Sequence, residues 1–213
     1  MSVAVKICGL STPQSVDAAV QGGAQFLGFV FFPPSPRAID PATARDLADR
    51  VPSSVRKVAV VVDATDDSLE TIVDALNADM IQLHGKETPE RVADIRGRIG
   101  CDVIKAIPVV DADDVAGAER YDEVADMLLF DAKPQPEDAL PGGNARTFDW
   151  SLMANTKTSK PWFLSGGLTK ECLQDAVAAS GARFVDVSSG VESTRGVKDH
   201  QKIAHFLTTA AGL

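Results

Sequence analysis

Short runs rich in Val, Ile, Leu and Phe recur along this chain at intervals of roughly 22 to 35 residues, each followed by a longer amphipathic stretch. This beat constrains the fold more than any other feature. Strands separated by helix-length connections pair in parallel and carry their helices on the outside. The runs predict strands over Val3–Cys8, Phe26–Phe31, Lys57–Val62, Met80–His84, Val103–Ile107, Met127–Asp131, Trp162–Ser165 and Phe184–Ser188. Helices are predicted over Pro13–Gln21, Pro41–Arg50, Ser68–Ala75, Pro89–Arg98, Ala112–Arg120, Phe148–Ala154, Lys170–Ala179 and Lys198–Ala210. Thr12-Pro13, Asp40-Pro41 and Thr88-Pro89 each set an N-cap residue before a proline in the first helical turn.

Eight such units predict an α/β chain folded as a single-domain (βα)8 TIM barrel over residues 1–213, with a parallel eight-stranded barrel at its centre. The chain is somewhat shorter than the roughly 250 residues typical of that fold. The competing arrangement is a doubly wound open sheet. Its two common nucleotide-binding signatures are missing: no glycines stand at i and i+2, which excludes G-x-G-x-x-G, and no G-x-x-x-x-G-K-[ST] occurs. No linker divides the chain, and the least structured stretch, residues 133–146 after the sixth strand, is expected to be a functional loop.

Charge narrows the partners. With 21 Lys+Arg against 30 Asp+Glu the formal charge is −9, which argues against binding nucleic acid or an anionic membrane through clustered cations. A small anionic ligand remains compatible, because a pocket can be positive on an acidic protein. Cys8, Cys101 and Cys172 include no C-x-x-C pair, and no basic segment precedes a long apolar run, so free thiols and a cytoplasmic location are expected.

Alternation along the strands assigns faces. Val3, Val5 and Ile7 form the outward set of the first strand, leaving Lys6 and Cys8 inward. The same logic turns Gln82, His84, Lys105, Asp131 and Asp186 inward and predicts a polar interior, where branched apolar residues would be ordinary. Internal ion pairing is one reading of Lys6, Lys105 and Asp186. Cys8 and Asp131 close their strands at the C-terminal rim, where enzymes of this fold keep their chemistry.

The seventh and eighth strands run into Ser165–Leu168 (SGGL) and Ser188–Glu192 (SSGVE), turns that suit phosphate because glycine lets backbone N–H groups approach its oxygens. A phosphorylated substrate held there would face Cys8 and Asp131 as an acid–base pair. A thiol serves as base only as thiolate, which the positive charge of Lys6 should favour. An aspartate serves as acid only when protonated, which burial favours. Isomerisation of a sugar phosphate needs these two roles and no cofactor or metal.

The segments KICGL (Lys6–Leu10), GFVFFPPSPRAI (Gly28–Ile39), IQLHG (Ile81–Gly85), LLFDAK (Leu128–Lys133), GGNARTFDW (Gly142–Trp150), FLSGGLT (Phe163–Thr169), FVDVSSGVES (Phe184–Ser193) and GVKD (Gly196–Asp199) together resemble the phosphoribosylanthranilate isomerases of tryptophan biosynthesis. The resemblance implies an Amadori rearrangement of N-(5-phosphoribosyl)anthranilate. It assigns Asp131 as general acid, Cys8 as general base and Arg37 as the cation that meets the anthranilate group. It assigns Gly166, Gly167, Ser189 and Gly190 to phosphate and Asp186 to the ribose, with Gln82 and His84 in the QLHG motif beside the substrate. Association with other enzymes of the pathway is left open. Three positions depart from the pattern: VVVDAT (Val60–Thr65) stands where V-F-V-N is usual, Cys172 where Asn is common, and Pro34 where Lys is frequent.

Two other enzymes and one non-enzyme compete. A histidine-pathway isomerase would use an aspartate pair at the ends of strands one and five, but strand one ends in Cys8. A metal-dependent pentose-phosphate epimerase would want His and Asp ligands on several strands, and only His84 lies on one. A barrel kept as a phosphate sensor has no need of acid and base together.

Overall fold

The computed structural model describes residues 3–135 and 140–213. Within the expected functional loop, residues 136–139 lie outside the described residues. Strands β1 (Ala4–Cys8), β2 (Phe26–Val30), β3 (Arg56–Val61), β4 (Met80–Leu83), β5 (Asp102–Val109), β6 (Met127–Ala132), β7 (Trp162–Leu164) and β8 (Phe184–Val187) form a closed barrel. All neighbours are parallel, and β1 closes on β8 with Lys6 opposite Asp186. The (βα)8 barrel expected from the sequence is the fold.

Helices α1 (Pro13–Gln21), α2 (Pro41–Ala48), α3 (Asp66–Leu76), α4 (Pro89–Ile99), α5 (Ala112–Ala116), α6 (Leu173–Ser180) and α7 (His200–Ala211) surround it. Their starts follow the caps: Thr12, Asp40, Thr65 and Thr88 each accept a backbone N–H from the third residue onward, satisfying a donor that has no partner within the helix. Asn77, Gly100 and Gly181 end α3, α4 and α6 in the left-handed region.

Three expectations about the segments between strands need correction. The helix predicted over Phe148–Ala154 is a 3₁₀ segment, Trp150–Asn155, because Phe148, Trp150 and Leu152 alternate rather than follow a helical period, and Asp149 caps a tight turn. The predicted helix over Ala112–Arg120 ends at Ala116 and continues as a 3₁₀ turn, Gly117–Tyr121. Between β8 and α7 lies an unforeseen antiparallel ribbon, β9 (Glu192–Thr194) and β10 (Val197–Lys198), so Lys198 precedes α7 instead of opening it.

The barrel interior is polar only in its upper part. Phe26, Val58, Met80, Ile104, Met127, Leu129 and Phe163 fill the end from which the strands start, with Phe163 edge-on to both Phe26 and Phe184. Lys105 is not in the interior. It pairs across from the outward-facing Leu83, and its Nζ donates to Glu87 Oε2 at 2.9 Å and to the carbonyls of Leu83 and Gly85. The run Val103–Ile107 is apolar on both faces, so alternation gives it no phase. Above the apolar plug, the inward positions of β1, β4, β6 and β8 carry the polar groups that matter below.

Candidate active site

Cys8 is the last residue of β1 and Asp131 the penultimate residue of β6, on opposite sides of the barrel. Both line one opening at the C-terminal ends of the strands. Arg37, Gln82, His84 and Asp186 line it too, as do Gly166, Gly167, Ser188 and Ser189 from the turns after β7 and β8. Gly190, in the turn after β8, packs closely on the turn after β7: a side chain there would strike the Leu168 carbonyl.

Cys8 shares its neighbourhood with a buried ion pair. Lys6 Nζ donates to Asp186 Oδ1 at 2.8 Å, and Ser165 Oγ donates to Asp186 Oδ2 at 3.1 Å. Burial pushes the Cys8 thiol above its ordinary value; Lys6 pulls it down, with less effect, and Asp186 pushes it up again. The expected help from Lys6 is therefore present but outweighed by desolvation. Burial also works against the Lys6 ammonium, yet Asp186 and Cys8 together hold its pKa above the usual value. Gly28 on β2 makes the space: a Cβ there would lie 2.9 Å from Cys8 Sγ and 3.1 Å from Lys6 Nζ.

Asp131 is held by one hydrogen bond and faces a histidine. Oδ1 accepts the Ala132 N–H at 2.9 Å, and Oδ2 lies 3.4 Å from His84 Nε2. His84 Nδ1 is 2.8 Å from Gln82 Nε2. When the Gln82 amide donates to Nδ1, the ring hydrogen resides on Nε2 and faces Asp131. Gln82 Oε1 is then a buried acceptor without a hydrogen-bond partner among the described residues. The backbone of Gly142 caps this cluster, since a Cβ there would sit 2.5 Å from His84 Nε2 and 2.8 Å from Asp131 Oδ2.

Arg37 comes from a proline-rich loop, yet it is only 3 % exposed. Its stem crosses the end of β1 beside Gly9, where a Cβ would lie 2.6 Å from Arg37 Cδ and the φ of +79° favours glycine. Nε and Nη2 donate to the two carboxylate oxygens of Glu192 at 2.7 and 3.0 Å, and Nη2 also reaches the Gly143 carbonyl at 3.2 Å. Lys198 Nζ donates to Glu192 Oε1 at 2.9 Å and to the Ser188 carbonyl at 2.8 Å. Burial alone would raise the Glu192 carboxyl; Arg37, Lys198 and the Gly196 N–H instead hold it at about 2. Neither Glu192 nor Lys198, which pair across the β9–β10 ribbon, is singled out by the sequence, because charged residues in so short a connection normally imply solvent.

The turn after β7 has Gly166 and Gly167 in the left-handed region at φ +90° and +62°. A Cβ on Gly166 would press on the Ala132 N at 2.9 Å, and one on Gly167 on the Arg146 carbonyl at 2.8 Å. Two of the departures from the family pattern also find a place. Asp63 adopts a left-handed φ of +46° and accepts the Lys86 N–H at 2.7 Å, tying the third loop to the fourth. Cys172 Sγ accepts the Thr169 N–H at 3.2 Å.

Fold and site define a (βα)8-barrel enzyme with a thiol and a carboxylate converging at the C-terminal rim. Comparison with known proteins makes the class particular. The family model for N-(5'-phosphoribosyl)anthranilate (PRA) isomerase matches residues 5–209. An N-(5'-phosphoribosyl)anthranilate isomerase from Cereibacter sphaeroides is 52 % identical over 208 residues, covering 98 % of both chains. The crystal structure of phosphoribosyl anthranilate isomerase from Thermotoga maritima superposes with a TM-score of 0.89 at 36 % identity, covering 99 % of this chain and 100 % of that one. A further structure, of phosphoribosyl anthranilate isomerase in complex with reduced 1-(o-carboxyphenylamino)-1-deoxyribulose 5-phosphate, has a TM-score of 0.86 at 34 % identity, with the same coverage. The chain belongs to the phosphoribosylanthranilate isomerase family, and it is an isomerase acting in tryptophan biosynthesis.

Proposed function

We propose that Asp131 and Cys8 carry out the isomerisation as general acid and general base, converting N-(5-phosphoribosyl)anthranilate to 1-(2-carboxyphenylamino)-1-deoxyribulose 5-phosphate. The observation that carries this reading is the convergence of the two residues, from β1 and β6, on one opening lined by Arg37 and both glycine-bearing turns. The phosphate belongs at Gly166, Gly167, Ser188 and Ser189, where backbone N–H groups substitute for clustered cations. Arg37 takes the anthranilate end, since a planar cation suits both a carboxylate and an aromatic face. Gln82, with a buried acceptor lacking a partner among the described residues, and Asp186 serve the ribose hydroxyls between them.

Asp131 gives its proton to the ribose ring oxygen as the bond from that oxygen to C1 breaks, leaving an iminium at C1. The Cys8 thiolate then removes the C2 proton, and the released electron pair forms the C1–C2 double bond of an enolamine. A proton delivered to C1 and one lost from the C2 hydroxyl complete the ketone. The sequence of events helps the base: burial disfavours the thiolate in the free site, and the cationic iminium formed beside it favours the thiolate when it is needed. His84 keeps Asp131 in place through Oδ2.

The same chemistry supports a cytoplasmic location. All three cysteines are free, and a base that must remain a thiol needs a reducing compartment. No helix among the described residues is long and apolar enough to cross a membrane.

Generating phosphoribosylanthranilate in situ and following the loss of its fluorescence tests the assignment. The protein is expected to turn it over, and Arg37→Ala is expected to raise KM more than it lowers kcat. Failure on this substrate together with turnover of the histidine-pathway aminoaldose would replace the reading with its nearest rival.

A further inference from the structure

The buried cluster at the β9–β10 ribbon is more elaborate than charge neutralisation requires. Glu192 presents both oxygens to one edge of the Arg37 guanidinium, at 2.7 and 3.0 Å, in the paired geometry that fixes the plane of the cation as well as its position. The carboxylate is itself anchored by Lys198 Nζ at 2.9 Å and the Gly196 N–H at 3.0 Å. With the Nε and Nη2 edge taken, Nη1 is left on the side of the segment that lines the opening, where a Cβ on Gly143 would lie 2.7 Å from it.

We propose that Glu192 is the positioning residue that sets substrate recognition: it orients Arg37 so that the Nη1 edge and a guanidinium face meet the carboxyphenyl group. The proposal rests on the assignment of Arg37 to that group. Glu192 itself does not line the opening. A carboxylate with only a structural role would support the whole mouth equally, whereas a positioning carboxylate acts on the aromatic end alone.

Inhibition by two probes separates these roles: reduced 1-(o-carboxyphenylamino)-1-deoxyribulose 5-phosphate, which carries the aromatic acid, and ribose 5-phosphate, which lacks it. Glu192→Gln is expected to weaken the first by about tenfold or more and the second by less than about threefold, because a charge-assisted fork is lost while Lys198 keeps its bonds to Ser188. Arg37→Ala should show the same selectivity, and the double variant should be no worse than Arg37→Ala, since Glu192 acts through that residue. Equal weakening of both probes by Glu192→Gln would overturn the proposal, as would a double variant whose losses add. If Arg37→Ala is selective and Glu192→Gln is not, positioning by Glu192 fails while the role of Arg37 stands. If Arg37→Ala affects neither probe, the assignment of Arg37 fails and the proposal with it. Should Glu192→Gln not fold, Glu192→Asp carries the same comparison, keeping the charge on a side chain too short to hold the fork.

Discussion

As the proposed base, Cys8 would meet opposing demands: it must be dry enough to exclude competing proton donors, yet able to give up its own proton. Burial dominates in the free site, with Lys6 the main opposing influence. In a Cys101→Ser/Cys172→Ser background, thiolate absorbance should therefore show Cys8 titrating above an ordinary thiol. Lys6→Met should push it higher still, since it removes the nearest cation and leaves Asp186 unpaired. A Cys8 thiolate already formed at neutral pH would contradict this picture. Cys8, Asp131 and Asp186 were legible from the sequence because a polar residue on an inward strand face is conspicuous. Glu192 and Lys198 were not, because nothing in two charges six positions apart, the second expected to open a helix, distinguishes a buried pair from two solvated charges.

At the level of elements, the strands and most helix starts could be read from apolar runs and from N-cap residues followed by proline. Where the signal was local and ambiguous the reading failed. Lys105 lies in a run apolar on both faces, and the β9–β10 ribbon has strands of three and two residues, too short for any periodicity to register. The turn after β7 makes its own prediction. Gly167→Ala places a side chain at φ +62° and against the Arg146 carbonyl, so it should cost about 1–3 kcal/mol of stability, measured as a lower thermal midpoint, and raise KM for the phosphorylated substrate. Unchanged KM would remove this turn from the phosphate site.

For the whole molecule, the charge of −9 is a property of the surface. Exposed or half-exposed pairs such as Arg50 with Asp17, Arg96 with Asp126 and Arg98 with Asp94 populate the helical shell, whereas the mouth is built from buried pairs. That division has a consequence for acid stability. A Glu192 carboxyl held at about 2 in the folded state contributes stability that is fully present above its ordinary value of 4.5 and is lost as the pH falls through about 2. The contribution is on the order of a few kcal/mol at roughly 1.4 kcal/mol per unit. Denaturant unfolding of Glu192→Gln should accordingly show lower stability at neutral pH and a shallower loss between pH 4.5 and 2 than the unmodified protein. Equal slopes would mean that Glu192 is not held ionised by Arg37 and Lys198.

Closing the barrel also brings β1 and β6 to a common mouth, and the account depends on that convergence. The most direct test is kcat/KM for phosphoribosylanthranilate in Cys8→Ala and Asp131→Asn, with thermal unfolding recorded alongside. Each variant is expected to lose about 10² to 10⁴ in kcat/KM, the range of a positioned acid or base, while unfolding close to the temperature of the unmodified protein. Near-normal turnover in either variant would contradict the account by removing that residue from the chemistry.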